Sequence, residues 1–264
     1  MLRKVVFNNF KCMFGQKKYG VQLGGDTILK HMNIIPSYNI NINSKKDYRK
    51  GYEIVANNIS FNKMNINIGG DHSISVSTIQ PLLDKYKDEI LVIWIDAHAD
   101  INTFISSYSN NMHGMPLSCL MGYMPHWYNK PYNLKKFTNL HKKNLLYVGL
   151  RDTDMYEREL IERKKITYFK TFSADVLNII ENSKCKYIYI SCDVDSMDPS
   201  IMPSTGTPVA DGLLLQDVID IINISKKKLV GFDLVEFNPM IGSKKDIDKT
   251  LDNISKIILQ VKLF

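Results

Sequence analysis

The stretch Leu91-Val92-Ile93-Trp94-Ile95-Asp96-Ala97-His98-Ala99-Asp100 decides how this chain is read. Its first five residues are apolar without a break, the pattern of a strand covered on both faces, as in a parallel sheet with helices above and below. The next five alternate an acid or an imidazole with alanine. In an extended segment residues i, i+2 and i+4 project to the same side, so Asp96, His98 and Asp100 are expected to converge beyond the carboxyl end of that strand. The alanines between them are small enough to let the backbone pack closely.

Working outward, continuous apolar runs rich in Val, Ile and Tyr recur at residues 5–7, 64–68, 145–150, 187–191 and 229–235. Apolar residues at helical spacing separate them at residues 73–87, 175–180, 214–224 and 247–261. This alternation predicts a three-layer α/β/α fold with a central, mostly parallel sheet and right-handed crossovers. No repeat or composition shift marks a linker, and 264 residues fit one hydrophobic core, so residues 1–264 are read as a single domain. The longest stretch without helical or strand periodicity is 101–144, which holds His113, Pro116, Pro125 and Pro131. It follows a strand carboxyl end, where open α/β sheets place their ligands, and it is read as a functional loop.

Composition excludes several classes. With 44% hydrophobic and 23% charged residues the chain is globular in type and not disordered. The net charge of +7 comes from short scattered lysine runs, with no basic stripe and interleaved aromatics, which argues against a nucleic-acid partner. Cysteines at 12, 119, 185 and 192 form no C-x-x-C pair, so neither a disulfide framework nor a thiolate zinc site is expected, and a reducing compartment is. No apolar stretch approaches the ~18 residues of a membrane span, and residues 1–10 lack the apolar run of a signal peptide. The expectation is a cytoplasmic protein with no membrane partner.

Two more strand ends carry chemistry. Asp193 and Asp195 follow the run 187–191 at i, i+2 spacing, and His72 follows the run 64–68 through a tight Gly69-Gly70 turn. Each cluster alone has a plain reading: D-x-H-x-D as a solvated loop, D-x-D as a turn, His72 as a helix cap with Asp71 its rival. Together, His72, Asp96, His98, Asp100, Asp193 and Asp195 put four carboxylates and two imidazoles behind three strands. Carboxylates so crowded repel one another unless cations join them. Oxygen-rich sites with one or two imidazoles suit manganese, magnesium or iron better than structural zinc. Six ligands suit two ions sharing bridging carboxylates, with room left for water.

The segments Gly69-Gly70-Asp71-His72-Ser73, Asp96-Ala97-His98-Ala99-Asp100, His113-Gly114 and Ser191-Cys192-Asp193-Val194-Asp195-Ser196-Met197-Asp198-Pro199 resemble the motifs of the ureohydrolases, the arginase and agmatinase family. The resemblance runs from about Gly20 to Glu236 and implies an arginase-like fold with two Mn²⁺ ions per chain. By matching motifs, His72, Asp96, Asp100 and Asp193 would bind one ion and Asp96, His98, Asp193 and Asp195 the other, with Asp96 and Asp193 bridging.

Asp100-Ile101-Asn102 followed by Ser109-Asn110-Asn111-Met112-His113-Gly114 is similar to the arginase version of the substrate loop. The resemblance assigns Asn102 and Ser109, with Asn111 beside them, to the α-carboxylate of an amino-acid substrate. Asp154 and Glu157 would hold its α-amino group, and Thr207 and Glu236 lie in the segments near the guanidinium, Glu236 as its direct partner. Neutral donors suit a carboxylate, and a carboxylate suits the guanidinium N–H fork. Agmatine lacks the carboxylate, so a site built around Asn102 and Ser109 would leave them unpaired. Asp154 has a plain reading as the cap of a helix beginning near Tyr156.

The implied reaction converts L-arginine to L-ornithine and urea by attack of a hydroxide held between the two ions. Glu236 would position the guanidinium carbon, Asp100 would orient the nucleophile, and His113 would give or relay the proton that the leaving amine requires. Two departures from the arginase pattern stand out: asparagine occupies usual glycine positions in Ser109-Asn110-Asn111, and Phe104 replaces a proline. The chain is also short at both ends for an arginase. Two alternatives remain: agmatinase or another guanidino-compound hydrolase, separated by which substrate releases urea, and a catalytically silent homologue, marked by metal content without turnover. A homo-oligomer, with a trimer favoured, is expected by resemblance.

Overall fold

Ile90–Ile95 is a strand with every residue buried, near the middle of an eight-stranded sheet in the computed structural model, which describes residues 4–60, 62–124 and 138–262. In chain order the strands are β1 (Lys4–Cys12), β2 (Tyr38–Ile42), β3 (Lys63–Ile68), β4 (Ile90–Ile95), β5 (Leu145–Val148), β6 (Thr167–Phe169), β7 (Tyr187–Asp193) and β8 (Leu229–Val235). They lie in the order β2-β1-β3-β8-β7-β4-β5-β6, and every neighbouring pair is parallel. All strand carboxyl ends therefore open on one edge, and β3, β8, β7 and β4 are consecutive there.

All six apolar runs are strands. The two edge strands have no such run, and their burial explains why. In β2 three of the five residues are exposed, and β6 is three residues long with none buried, because an edge strand is covered less completely. β1 extends to Cys12, well past the run 5–7, because Asn8 and Asn9 sit inside the sheet. The Asn8 carboxamide donates to Asn65 at 3.1 Å and Asn67 at 2.7 Å on β3, so these polar residues satisfy one another across the ladder.

The helices are α1 (Gly24–His31), α2 (Asp47–Asn57), α3 (Ser75–Tyr86), α4 (Pro116–Leu120), α5 (Met155–Lys164), α6 (Ala174–Glu181), α7 (Leu215–Ser225) and α8 (Lys244–Lys262). Alternation along the strands divides the apolar interior in two. Val92 and Trp94 of β4 and Tyr189 of β7 join α2, α3, α4 and α5 on one face. Leu91, Ile93 and Ile95 join Ile188 and Ile190 with α1, α6, α7 and α8 on the other. This is a three-layer α/β/α architecture. In α8, Leu251, Ile254, Ile257, Ile258 and Val261 recur at i, i+3, i+4 spacing and are buried, each full burial being worth about 1.5–3 kcal/mol.

The stretch 101–144 is not wholly irregular. It holds a 3₁₀ turn at Met112–Gly114 and α4, while residues 125–137, with Pro125 and Pro131, lie outside the described residues. All five residues of α4 are buried, so it has no polar face and no amphipathic period to detect; Pro116 at its first position is the start signal. The four cysteines are free thiols, and among the described residues no helix is long and apolar enough to cross a membrane.

Candidate metal centre and active site

His72 is delivered by the turn after β3. Gly69 and Gly70 have φ of 87° and 79°, in the left-handed region that glycine enters without strain. Side chains are excluded as well, since a Cβ on Gly69 would stand 2.5 Å from Gly25 N and one on Gly70 2.9 Å from Cys12 Cβ. The turn stays laced to the end of β8: Gly69 N–H donates to Leu234 O at 2.9 Å, and Glu236 N–H donates to Gly70 O at 3.0 Å. Asp71, the rival cap, is the cap, its carboxylate accepting Ser73 N–H at 3.0 Å. The His72 side chain is thereby left to point elsewhere.

Convergence of Asp96, His98 and Asp100 does occur, though not through continued strand. β4 ends at Ile95, and Asp100 has φ 51°, so an extended i, i+2, i+4 geometry is not what aligns them. The segment turns because Asp96 Oδ1 accepts His98 N–H at 2.8 Å and Ala97 O accepts the N–H groups of Arg151 and Asp152 beyond β5 at 3.0 and 2.9 Å. The same correction applies after β7, where Asp195 lies in a 3₁₀ turn, Val194–Ser196, with its N–H donating to Asp193 Oδ1 at 2.9 Å. Glu236 stands just past β8, with φ 66°. Short carboxylate-to-backbone bonds and left-handed residues do the work that the strand pleat was expected to do.

The six side chains meet. His72 Nδ1 is 3.0 Å from Asp96 Oδ2, 3.0 Å from Asp100 Oδ2 and 3.3 Å from Asp193 Oδ2. His98 Nδ1 is 3.2 Å from Asp195 Oδ2 and 3.5 Å from Asp96 Oδ1. Two groups of possible ligands result, His72-Asp96-Asp100 and Asp96-His98-Asp195, each with its ligand atoms within 4.8 Å of one another, and Asp96 is common to both. Burial raises the carboxyl of Asp193 well out of the ordinary range and that of Asp195 above it, and it lifts Asp100 to about 6 with the neighbouring Asp96 charge adding to the rise. Against burial, His72 and His98 hold Asp96 low, and the facing carboxylates drive both imidazoles up.

Divalent cations fit this donor set. Asp195 Oδ1 is buried with no hydrogen-bond partner, an arrangement that otherwise costs about 1–3 kcal/mol, and His72 Nδ1, though 3.0 Å from two carboxylate oxygens, makes no hydrogen bond of good geometry to either. The opposite nitrogen of His72 is engaged with Ser191 Oγ at 2.9 Å, and the ring is stacked 4.0 Å from Trp94. Nδ1 is thus aimed at the carboxylates by both its hydrogen bond and its packing. Trp94 Nε1–H also donates to Asp96 Oδ2 at 3.0 Å, and Thr207 Oγ1 donates to Asp195 Oδ2 at 2.8 Å.

Glu236 adjoins the cluster, its Oε1 accepting His72 N–H at 2.9 Å and lying 3.0 Å from His113 Nδ1. Although burial opposes its charge, His113 is pushed up to about 9 by Glu236, and Glu236 is held below the ordinary carboxylate range by His113. Farther out, Asn102 donates to Asp154 Oδ2 at 2.7 Å. Asp154 is also the cap of α5 in a reciprocal box with Glu157, whose Oε1 accepts Ile101 N–H at 3.3 Å. Burial, with the charges of Asp154 and Asp100, lifts Glu157 to about 8. Ser109 is exposed and Asn111 half-buried, Ser109 Oγ accepts Asn111 N–H at 3.2 Å, and among the described residues neither side chain hydrogen-bonds to the acidic cluster.

Three further residues hold this region together. Asp233 in β8 is fully buried and accepts from Thr78 Oγ1 at 2.7 Å and Asn67 Nδ2 at 2.8 Å; an acid inside an apolar run was its signal. The Arg151 guanidinium donates to the carbonyls of Asp195, Ser196, Gly149, Val209 and Ala210, tying the ends of β5 and β7 together. Gln16, which donates to Glu236 Oε2 at 2.7 Å, comes from a loop more than two hundred positions away and had no sequence signal.

Comparison with known proteins agrees with this geometry. A family model described as the arginase family matches residues 8–262. An arginase of Saccharomyces cerevisiae is 37% identical over 203 residues, covering 71% of this chain, and this chain spans 61% of that protein's length. An arginase of Entamoeba histolytica is 33% identical over 253 residues, covering 88% of this chain and 78% of its own. The crystal structure of Entamoeba histolytica arginase in complex with L-ornithine superposes with a TM-score of 0.83 at 28% identity, covering 100% of this chain and 99% of that one.

Proposed function

From its membership of the arginase family, to which this chain belongs, we propose that the protein hydrolyses L-arginine to L-ornithine and urea. The observation that carries this reading is the buried cluster of two imidazoles and four carboxylates directly beside the Glu236–His113 pair. His72, Asp96, Asp100 and Asp193 would hold one Mn²⁺ and Asp96, His98, Asp193 and Asp195 the second. Two divalent cations there would neutralise the carboxylates and acidify a water between them, supplying a nucleophile near neutral pH.

The chain's own residues account for the rest. Glu236 receives the guanidinium, and Asn102 and Asp154 hold the amino-acid head group, with Ser109, Asn111 and Glu157 completing that end. Glu236, 3.0 Å from His113 Nδ1, favours the protonated form of His113. An arriving guanidinium takes over the Glu236 charge, so the proton on His113 loses its support and becomes easier to release to the leaving amine. Proton transfer of this kind is worth roughly 10²–10⁴ in rate. A single arginase-like domain, a cytoplasmic setting and a homo-oligomeric, trimeric assembly complete the reading; light scattering on the purified protein measures the assembly.

Urea release from L-arginine and from agmatine, assayed in parallel on manganese-loaded protein with His98→Ala as control, tests the proposal. Preference for L-arginine by orders of magnitude with an inactive control is the expected result. A preference for agmatine would overturn the substrate and leave the metal centre standing; inactivity on both, with two ions bound, would point to a silent homologue.

A further inference from the structure

The turn between β1 and α1 runs along the rim of the site and joins its parts. Gly15 N–H donates to Asp71 Oδ2 at 2.8 Å, and Gly15 O accepts His113 N–H at 3.1 Å. A Cβ on Gly15 would stand 2.4 Å from Asp71 Oδ1, so residue 15 reaches both partners only without a side chain. The backbone that carries His113 is therefore pinned to the same turn that places Gln16. Because a carboxylate can only accept, the 2.7 Å contact with Glu236 Oε2 identifies the nitrogen end of the Gln16 carboxamide.

We propose that Gln16 is a positioning residue that fixes the plane of the Glu236 carboxylate, and that it thereby sets how strongly the site prefers a guanidinium to a simple ammonium. The proposal rests on the guanidinium-binding reading of Glu236 given above. Both Glu236 oxygens are tied: Oε1 to His72 N–H and the His113 ring, Oε2 to Gln16, three donors from three separate segments. A planar guanidinium engages a carboxylate through parallel N–H bonds, so it needs that plane oriented. A compact ammonium is a point charge with rotatable donors and tolerates a turned carboxylate.

The neutrality of Gln16 matters as much as its reach. A cationic side chain in its place would cancel the Glu236 charge and compete with the substrate, whereas an amide anchors the carboxylate and leaves the charge available. Among the described residues no donor reaches the Gln16 carboxamide oxygen.

Gln16→Met keeps the length and removes the donor. Binding of L-arginine and of L-ornithine to native and variant protein, both metal-free, is measured by calorimetry, with KM and kcat on manganese-loaded protein and the bound-ion count taken in parallel. The variant is expected to lose roughly ten- to hundredfold in L-arginine affinity, the range of one hydrogen bond to a charged group, with L-ornithine affinity held within about twofold and the ion count unchanged. Unchanged L-arginine affinity, or equal loss for both ligands, would overturn the proposal, the latter marking a packing role. If native protein releases no urea, the proposed reaction fails while the binding comparison still decides the role of Gln16. Native protein that binds both ligands alike would refute the proposal as well.

Discussion

The Asn102 carboxamide donates to Asp154 Oδ2 at 2.7 Å, so the two residues proposed for opposite charges of an amino-acid head group are bonded to each other. Asp154 Oδ1 is committed separately, accepting Glu157 N–H at 2.9 Å as the cap of α5. One acid therefore joins the stability of a helix to the placement of a ligand group. The functional and the structural readings of Asp154 are both compatible with this geometry.

That sharing separates two variants. Asn102→Ala removes the donor proposed for the carboxylate and should lower kcat/KM for L-arginine by about tenfold or more while sparing agmatine, which has no carboxylate. Asp154→Asn keeps a capping oxygen but drops the charge, so both substrates should suffer, since both carry the amino group. Asp154→Ala should additionally lose about 1 kcal/mol of stability with the cap. Equal effects of Asn102→Ala on the two substrates would sink the carboxylate assignment.

The Glu236–His113 pair predicts a pH dependence. His113 is raised to about 9 from its ordinary 6.5, so the stabilisation it contributes is fully present below about 6.5 and is lost as pH rises through about 9. The difference in unfolding free energy between native protein and His113→Asn, both metal-free, should shrink from about pH 7 to about pH 10 in calorimetric scans. A difference that widens with pH would show that the proton is not held as described. On the loaded enzyme the same variant should reduce kcat by roughly 10²–10⁴.

Trp94 supports the centre without reaching a ligand position. Its Nε1–H donates to Asp96 Oδ2 at 3.0 Å and its ring stacks on His72. Trp94→Phe keeps an aromatic surface and removes the donor, and partners of metal ligands typically contribute roughly ten- to hundredfold in affinity. Manganese titration followed by calorimetry should show a loss in that range; affinity equal to native would assign Trp94 to packing alone.

Removal of the ions should destabilise the fold at neutral pH, because Asp96, Asp193 and Asp195 are buried together with little besides two imidazoles to offset them. The melting temperature should fall on chelation and climb again with the logarithm of manganese concentration, about 2.7 kcal/mol being regained at a hundredfold excess over Kd. A melting temperature indifferent to manganese would remove the ground for an ion site.

The amino-acid sequence by itself determined the parts that depend on local pattern. Continuous apolar runs located six of the eight strands, since strands buried on both faces must be apolar throughout, and the acids and imidazoles at the ends of three of them were legible as a ligand set. Residues whose roles come from partners distant in the chain were decided only by tertiary structure. The partly exposed β2 and β6, the wholly buried α4, and Gln16 reaching Glu236 leave no periodic trace, because coverage by other segments and not local spacing defines them. The manner of convergence was also a tertiary matter. Asp100 and Glu236 aim inward through left-handed backbone that neighbouring strand ends hold in place, a conformation that no alternation of residues along a strand could have specified.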